Sequence, residues 1–332
     1  MEVTFYGVRG STPCSWRDAM RYGCNSSCVV LDLHEAPPIL LDLGTGARVY
    51  GDDFGPAPFR GTALVTHLHW DHVQGLPFFR PIDRPGAEID IYGPKHEEGP
   101  LGEVWEGFMK PPYFPIRPSE LRGAIRFHDL DAGEFELPGA TVTARWVRHP
   151  NPTLGYRVEA DGVVVAFIPD HGPGQDADEY VPREVLDLVE GADLLIHDAQ
   201  FTVAEQRERS HWGHCSHKYA VEVARQGGVQ RLALFHHDPH HDDDQIDVMA
   251  GEAHDLAVTL GIEVFAAAEL MHLRLDPKSA SDVDDGDHAS ISDGSADVAD
   301  VADGHGETGD EGSAVSPVNL EGSEPLVYSG TA

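Results

Sequence analysis

Apolar residues fall into two rhythms along the first 275 positions. Short runs rich in Val, Ile, Leu and Phe, bounded by Gly, Pro, Asn and Asp, predict strands at 3–8, 28–33, 39–43, 62–66, 88–92, 125–129, 141–148, 154–159, 163–168, 193–197, 231–235 and 262–265. Residues 180–190, 216–227 and 244–260 repeat apolar positions at three- and four-residue spacing, which predicts helices. Gly227-Gly228 and Gly261 stand where helix C-terminal glycines belong, and Asp42-Leu43-Gly44-Thr45-Gly46 reads as a turn into a further helix. Strands interleaved with outer helices suit an αββα sandwich, and periodicity alone leaves a parallel doubly wound sheet open.

The rhythm breaks after Leu275. From Pro277 to Ala332 thirteen acidic residues face the single base Lys278, a balance of −12, among Gly, Ser and Ala with few aromatics. Such a stretch cannot bury enough apolar surface to order itself, so the expected division is a folded domain over 1–276 and an acidic disordered tail over 277–332.

A chain of 332 residues can bury a large core in one domain. Its formal net charge is −34, and −22 remains once the tail is removed. That balance argues against general nucleic-acid binding, which relies on Lys and Arg to neutralise phosphates. Cys14, Cys24, Cys28 and Cys215 do not amount to a disulfide framework, and the Cys24/Cys28 spacing lacks the partner pair of a structural zinc site. The N-terminus lacks a basic, apolar leader, and no run approaches the length of a membrane span. A cytoplasmic protein with reduced thiols and no membrane partner is expected.

The densest chemistry is Thr66-His67-Leu68-His69-Trp70-Asp71-His72, directly after the apolar run Ala63-Leu64-Val65. A strand ending this way aims His67 and His69 at one ion, and the following turn swings Asp71 and His72 toward another. His149, Asp170 and His236 each close a strand-like run further along, so four strand ends converge on one edge. The H-x-H-x-D-H pattern with these downstream residues resembles the metallo-β-lactamase superfamily. The resemblance implies an α+β fold, the αββα sandwich of that type, and two divalent metal ions, zinc first with manganese or iron as alternatives. One ion would take His67, His69 and His149, the other Asp71, His72 and His236, with Asp170 bridging. His237 competes with His236 for the last place and would otherwise stand behind the ligands or face the substrate. His171 and the pair His240-His241 read as solvated loop residues, and Asp242-Asp243-Asp244 as a helix start.

Gly213-His214-Cys215-Ser216-His217, ahead of a predicted helix, narrows the resemblance to the phosphodiesterase branch, which includes tRNA 3′-processing endonucleases and cyclic-phosphate phosphodiesterases. The branch usually has Ser-Thr where this chain has Cys215-Ser216. The resemblance implies that Asp71 accepts a proton from the attacking water, that His214 protonates the leaving oxygen and that Asp198 orients His214. Only 21 positions separate His149 from Asp170. That leaves no room for the long tRNA-gripping arm of bacterial endonucleases, so a small phosphodiester, cyclic or open, or a nucleotide is the expected substrate, with tRNA 3′ processing as the alternative. A thioester or lactone hydrolase could use the same metals without His214, and a diiron redox protein would need a flavin domain that the sequence does not supply.

Residues from Pro94 to Arg122, with Trp105, Phe108, Tyr113 and Phe114, suggest an aromatic wall beside the metals, or equally a packing flap or a homodimer contact. Arg117, Arg122, Arg148 and Arg157 are candidate phosphate contacts.

Overall fold

The structure, a computed structural model, describes residues 1–173 and 180–277. The expected acidic tail lies outside the described residues but for Pro277. The first half of the chain builds one sheet from β1 (Glu2–Gly7), β2 (Cys28–Asp32), β3 (Ile39–Leu41), β4 (Arg60–Leu64), β5 (Glu88–Pro94) and β6 (Ala124–Leu130). The second half builds another from β7 (Gly133–Leu137), β8 (Ala140–Val147), β9 (Thr153–Ala160), β10 (Val163–Ile168), β11 (Leu194–Asp198), β12 (Arg231–Phe235) and β13 (Glu263–Ala266). A last strand, β14 (His272–Arg274), returns to pair with β1, so each sheet has seven strands. In both sheets one side is antiparallel and the other, β3 to β6 and β10 to β13, is parallel.

The sheets pack face to face. Phe5, Leu31 and Leu41 from the first meet Tyr156, Phe167 and Phe235 from the second in one buried cluster. Fully buried aromatics of this size carry much of the fold, and Phe167→Ala would cost about 3–5 kcal/mol. The outer face of the first sheet is covered by α1 (Gly46–Asp53) and, beyond the one-turn α2 (Trp70–Val73), by α3 (Leu101–Phe108), which buries Leu101 and Trp105. The outer face of the second is covered by α4 (Arg183–Val189), α6 (His217–Gly227) and α7 (Asp243–Ala257), with the short α5 (Val203–Glu208) near its edge. This is the expected αββα sandwich.

Local signals set the helix ends. Ser216 caps α6, which stops at left-handed Gly228, and the Asp242 side chain accepts the Gln245 amide at the start of α7. Thr202-Val203-Ala204-Glu205 forms a capping box on α5, a signature the periodicity reading passed over. Strand β7 was also missed, because Glu134 and Glu136 alternate with Phe135 and Leu137 on an edge strand with one polar face.

Candidate metal centre

Parallel strands point their C-terminal ends the same way, and here those ends carry the chemistry. His67 to His72 follow β4 and lead through α2, His149 follows β8, Asp170 follows β10, and His236 follows β12. The structure brings all seven residues together in two clusters. His67, His69, His149 and Asp170 offer donor atoms to one point, and Asp71, His72 and His236 to a second.

Asp170 reaches both. Its Oδ2 lies 3.7 Å from His67 Nε2 and 3.6 Å from His149 Nε2, while Oδ1 lies 3.1 Å from His72 Nε2 and 3.2 Å from His236 Nε2. Asp71 Oδ2 lies 3.1 Å from both His72 Nε2 and His236 Nε2.

The ring nitrogen that faces away from each cluster is occupied. His72 Nδ1 donates to Asp42 Oδ2 at 2.7 Å, His149 Nδ1 to the Gly213 carbonyl at 3.0 Å, and His236 Nδ1 to Gln200 Oε1 at 3.0 Å. The Asn151 amide donates to His69 Nε2 at 2.7 Å, and His67 Nδ1 meets the Thr66 hydroxyl at 3.1 Å. The contacts of His72, His149 and His236 place the ring proton on Nδ1 and leave Nε2 for a cation, while those of His67 and His69 fix the ring orientation. Gly213 serves this directly, since a Cβ there would collide with His149 and its φ of 82° suits glycine. His236 itself sits at φ 61°, a strained backbone position that is uncommon outside glycine and concentrates at functional sites.

These residues fit divalent cations. His67 Nε2 and Asp170 Oδ1 are buried and make no hydrogen bond, a cost that a bound ion removes. Burial holds His67, His69 and His149 below the ordinary histidine range, His69 at about 4, so these rings are uncharged near neutrality. Burial opposes charge on His72 too, but Asp71, Asp170 and Asp42 outweigh it and raise its pKa. Asp71 and Asp170 are in turn held well below the usual carboxylate range, chiefly by His72 and His236 respectively. Asp71 and Asp170 therefore keep their negative charge where a cation would be held.

Beside the centre, His214 Nδ1 donates to Asp198 Oδ2 at 2.7 Å and lies 3.8 Å from Asp170 Oδ2. Asp198 is fully buried and also accepts the Gln200 and His171 amides, so its carboxylate is fixed from several sides. Burial lowers the pKa of His214, but Asp198, Asp170 and Asp71 together raise it above the ordinary value.

Several expectations need correction. His237 joins neither cluster: it is buried, and its Nε2 donates to the Ala267 carbonyl at 2.9 Å. His171 is fully buried against His197 and Tyr219, and His241 is buried on Glu205, so of the three expected loop histidines only His240 is solvated. Arg117 pairs with Glu106, Arg122 with Asp83 and Arg157 with Glu159, while Arg148 reaches the Pro173 carbonyl. The first three are thus committed to neighbours, not held ready for phosphate. The 94–122 segment divides its role. Trp105 packs as core, while Phe108, Tyr113 and Phe114 join the exposed Trp70 and Phe78 around an apolar cavity of about 200 Å³. Asp42, Gln200, Asn151 and Gly213 were not foreseen as supporting groups. Among the described residues no helix is long and apolar enough to cross a membrane.

Comparison with known proteins agrees with this geometry. The family model described as a beta-lactamase superfamily domain matches residues 58–237. The chain is 27% identical over 274 residues to ribonuclease Z of Natronomonas pharaonis, covering 71% of this chain and 86% of that protein. Its fold matches the metallo-beta-lactamase fold protein YhfI of Bacillus subtilis with a TM-score of 0.61 at 17% identity, over 82% of this chain and 98% of that one. It matches human tRNase Z, short form, with a TM-score of 0.58 at 23% identity, over 82% of this chain and 99% of that one.

Proposed function

The chain belongs to the β-lactamase superfamily and is a metal-dependent hydrolase, and on that premise we propose that its metal centre cleaves phosphodiester bonds, the 3′ end of an RNA such as a precursor tRNA being the substrate its relatives favour. The observation that carries phosphodiester chemistry is the His214–Asp198 pair, set against the carboxylate that spans the two clusters.

Two divalent cations, zinc first because the donors are mostly imidazole, would be held by His67, His69 and His149 on one side and Asp71, His72 and His236 on the other, with Asp170 between them. When bound, they supply Lewis acidity that lowers the pKa of the attacking water and neutralises the phosphoryl oxygens. Asp71 would take the proton that the water gives up. His214, its Nδ1 tied to Asp198, keeps Nε2 to hand a proton to the departing oxygen, which a poor alkoxide leaving group needs. Asp170, His214 and His236 also form a group that could hold an ion, but the Asp198 carboxylate on Nδ1 favours the protonated ring, which suits His214 to giving a proton.

The relatives named ribonuclease Z, 26–28% identical to this chain, support RNA as the substrate. The alternative expectation, tRNA 3′ processing, thereby moves ahead of a small phosphodiester. The exposed rings of Trp70, Phe78 and Tyr113 offer faces on which bases can stack. A small phosphodiester remains the second reading, on a specific observation. The connection from His149 to Asp170 is filled by β9 and β10, with no insertion to grip a large RNA, and the net charge is −34.

One assay separates the readings. Metal-loaded protein is offered a precursor tRNA with a 3′ trailer, 2′,3′- and 3′,5′-cyclic nucleotides, bis-p-nitrophenyl phosphate, a thioester and a lactone. Cleavage at the tRNA 3′ junction supports the first reading, and cyclic nucleotide turnover without it supports the second. Thioester or lactone turnover with no diester cleaved would end both.

A further inference from the structure

Cys14 and Cys24 face each other on the loop that borders the metal centre, and we infer that they form a disulfide that fixes this loop against Asp71. The two stretches run side by side. The Cys14 amide donates to the Cys24 carbonyl at 2.9 Å, and the Val8 and Arg9 amides both reach the Asn25 carbonyl at 2.9 Å. Such pairing sets the two Cα atoms on the order of 5 Å apart, inside the window for a disulfide. The sulfurs are 2.8 Å from each other, closer than two unbonded sulfurs rest. Both residues are half-buried, within reach of a small oxidant, whereas Cys28 and Cys215 are fully buried.

The same loop touches the metal centre. The Ser11 amide donates to Asp71 Oδ2 at 2.8 Å, Gln200 Nε2 donates to the Ser11 hydroxyl at 3.2 Å, and Gly10 lies so close to the His236 ring that a Cβ would collide with it. The buried Arg9 guanidinium pins the loop through the carbonyls of Ala19, Gly23, Asp238 and His241. A covalent rung between residues 14 and 24 closes a short ring beside these anchors and restricts how far Ser11 can swing from Asp71.

A hydroperoxide is a sufficient oxidant. The first thiolate attacks a peroxide oxygen, the O–O bond breaks, and a sulfenic acid forms as the other oxygen leaves as water or alcohol. The second sulfur then attacks the sulfenic sulfur, the S–S bond forms, the S–O bond breaks and water leaves. Two electrons pass from the sulfurs to the peroxide, and both thiol protons end on oxygen. Burial and the neighbouring Cys14 push the Cys24 thiol up to about 12, which suits Cys24 to the resolving step.

The test uses the full chain, treated with hydrogen peroxide or with dithiothreitol. After peroxide, two of the four thiols should be lost, the intact mass should fall by two hydrogen atoms, and tryptic peptides joined through Cys14 and Cys24 should appear. Amide exchange in the peptide carrying Ser11 should slow, and the thermal midpoint should rise by about 5 °C. Cys24→Ser should show neither response. Four remaining thiols, a bond between chains, or Cys14 oxidised to sulfinic acid with Cys24 free would overturn the disulfide. A formed bond with unchanged exchange at Ser11 would overturn its loop-fixing role.

Discussion

His72 and Asp42 form a buried pair beneath the metal centre, Nδ1 to Oδ2 at 2.7 Å, while His72 Nε2 faces Asp71 and Asp170. Asp42 is in turn fixed by the Ser27 hydroxyl and by the Thr66 amide and hydroxyl, and Thr66 meets His67. One carboxylate therefore steadies a histidine in each cluster. Asp42→Asn tests the charge without disturbing the backbone, because asparagine tolerates the φ of 61° found there. Metal affinity, read by competition with a chelator, should fall by roughly ten- to a hundred-fold while the fold persists. Unchanged affinity would reduce Asp42 to a packing role.

Asp170 is the residue whose loss should be felt at both positions, since its two oxygens face different clusters. Elemental analysis of protein purified without chelator should find about two transition-metal ions per chain, as expected of a two-metal hydrolytic site. Asp170→Ala should empty both positions together. Loss of a single ion, or a wild-type stoichiometry of one after reconstitution with zinc and manganese, would rule out a shared carboxylate.

What could be read in advance was local. His67, His69, Asp71 and His72 announce themselves because a strand's apolar run ends directly on them, and Asp170 and His236 repeat the device. The supporting groups could not be read that way. Asn151 meets His69 from 82 positions away, and Gln200 meets His236 from 36. Neither carries a pattern of its own. His171 and His241 look solvated in sequence because polar neighbours flank them, yet packing on Tyr219 and pairing with Glu205 bury them. The sandwich was distinguished from a doubly wound sheet by the ligand motif, since parallel strands occur in both.

A buried histidine away from the ligands contributes to the pH dependence of folding. His197 is fully buried and gives its Nδ1 proton to the Asp198 carbonyl at 2.8 Å. Burial lowers its pKa, and Asp198 only partly offsets this. In the unfolded chain its pKa returns to about 6.5, so below that pH the unfolded state binds a proton that the folded state refuses. The stabilisation is full above about pH 6.5 and is lost as pH falls toward the depressed folded value. Thermal midpoints of the metal-free protein should decline from about pH 7 to pH 5. His197→Asn, which keeps a donor for the carbonyl but does not titrate, should decline less steeply. An identical slope in both proteins would show that His197 takes no part.

His214 separates phosphodiester cleavage from the other hydrolytic chemistries available to this fold. Held by Asp198 and set beside Asp170, it is assigned to leaving-group protonation, not to metal binding. His214→Ala should therefore keep its full complement of metal. Turnover of a diester with a poor alkoxide leaving group should fall by roughly a hundred- to ten-thousand-fold, the range of a lost general acid. A p-nitrophenyl diester should suffer far less, because nitrophenolate departs without a proton. Asp198→Asn should show a weaker form of the same split, since it leaves the ring in place but removes the charge that favours its protonated form. Equal losses on the two substrates would remove the general-acid role, and a drop in metal content would make His214 a ligand.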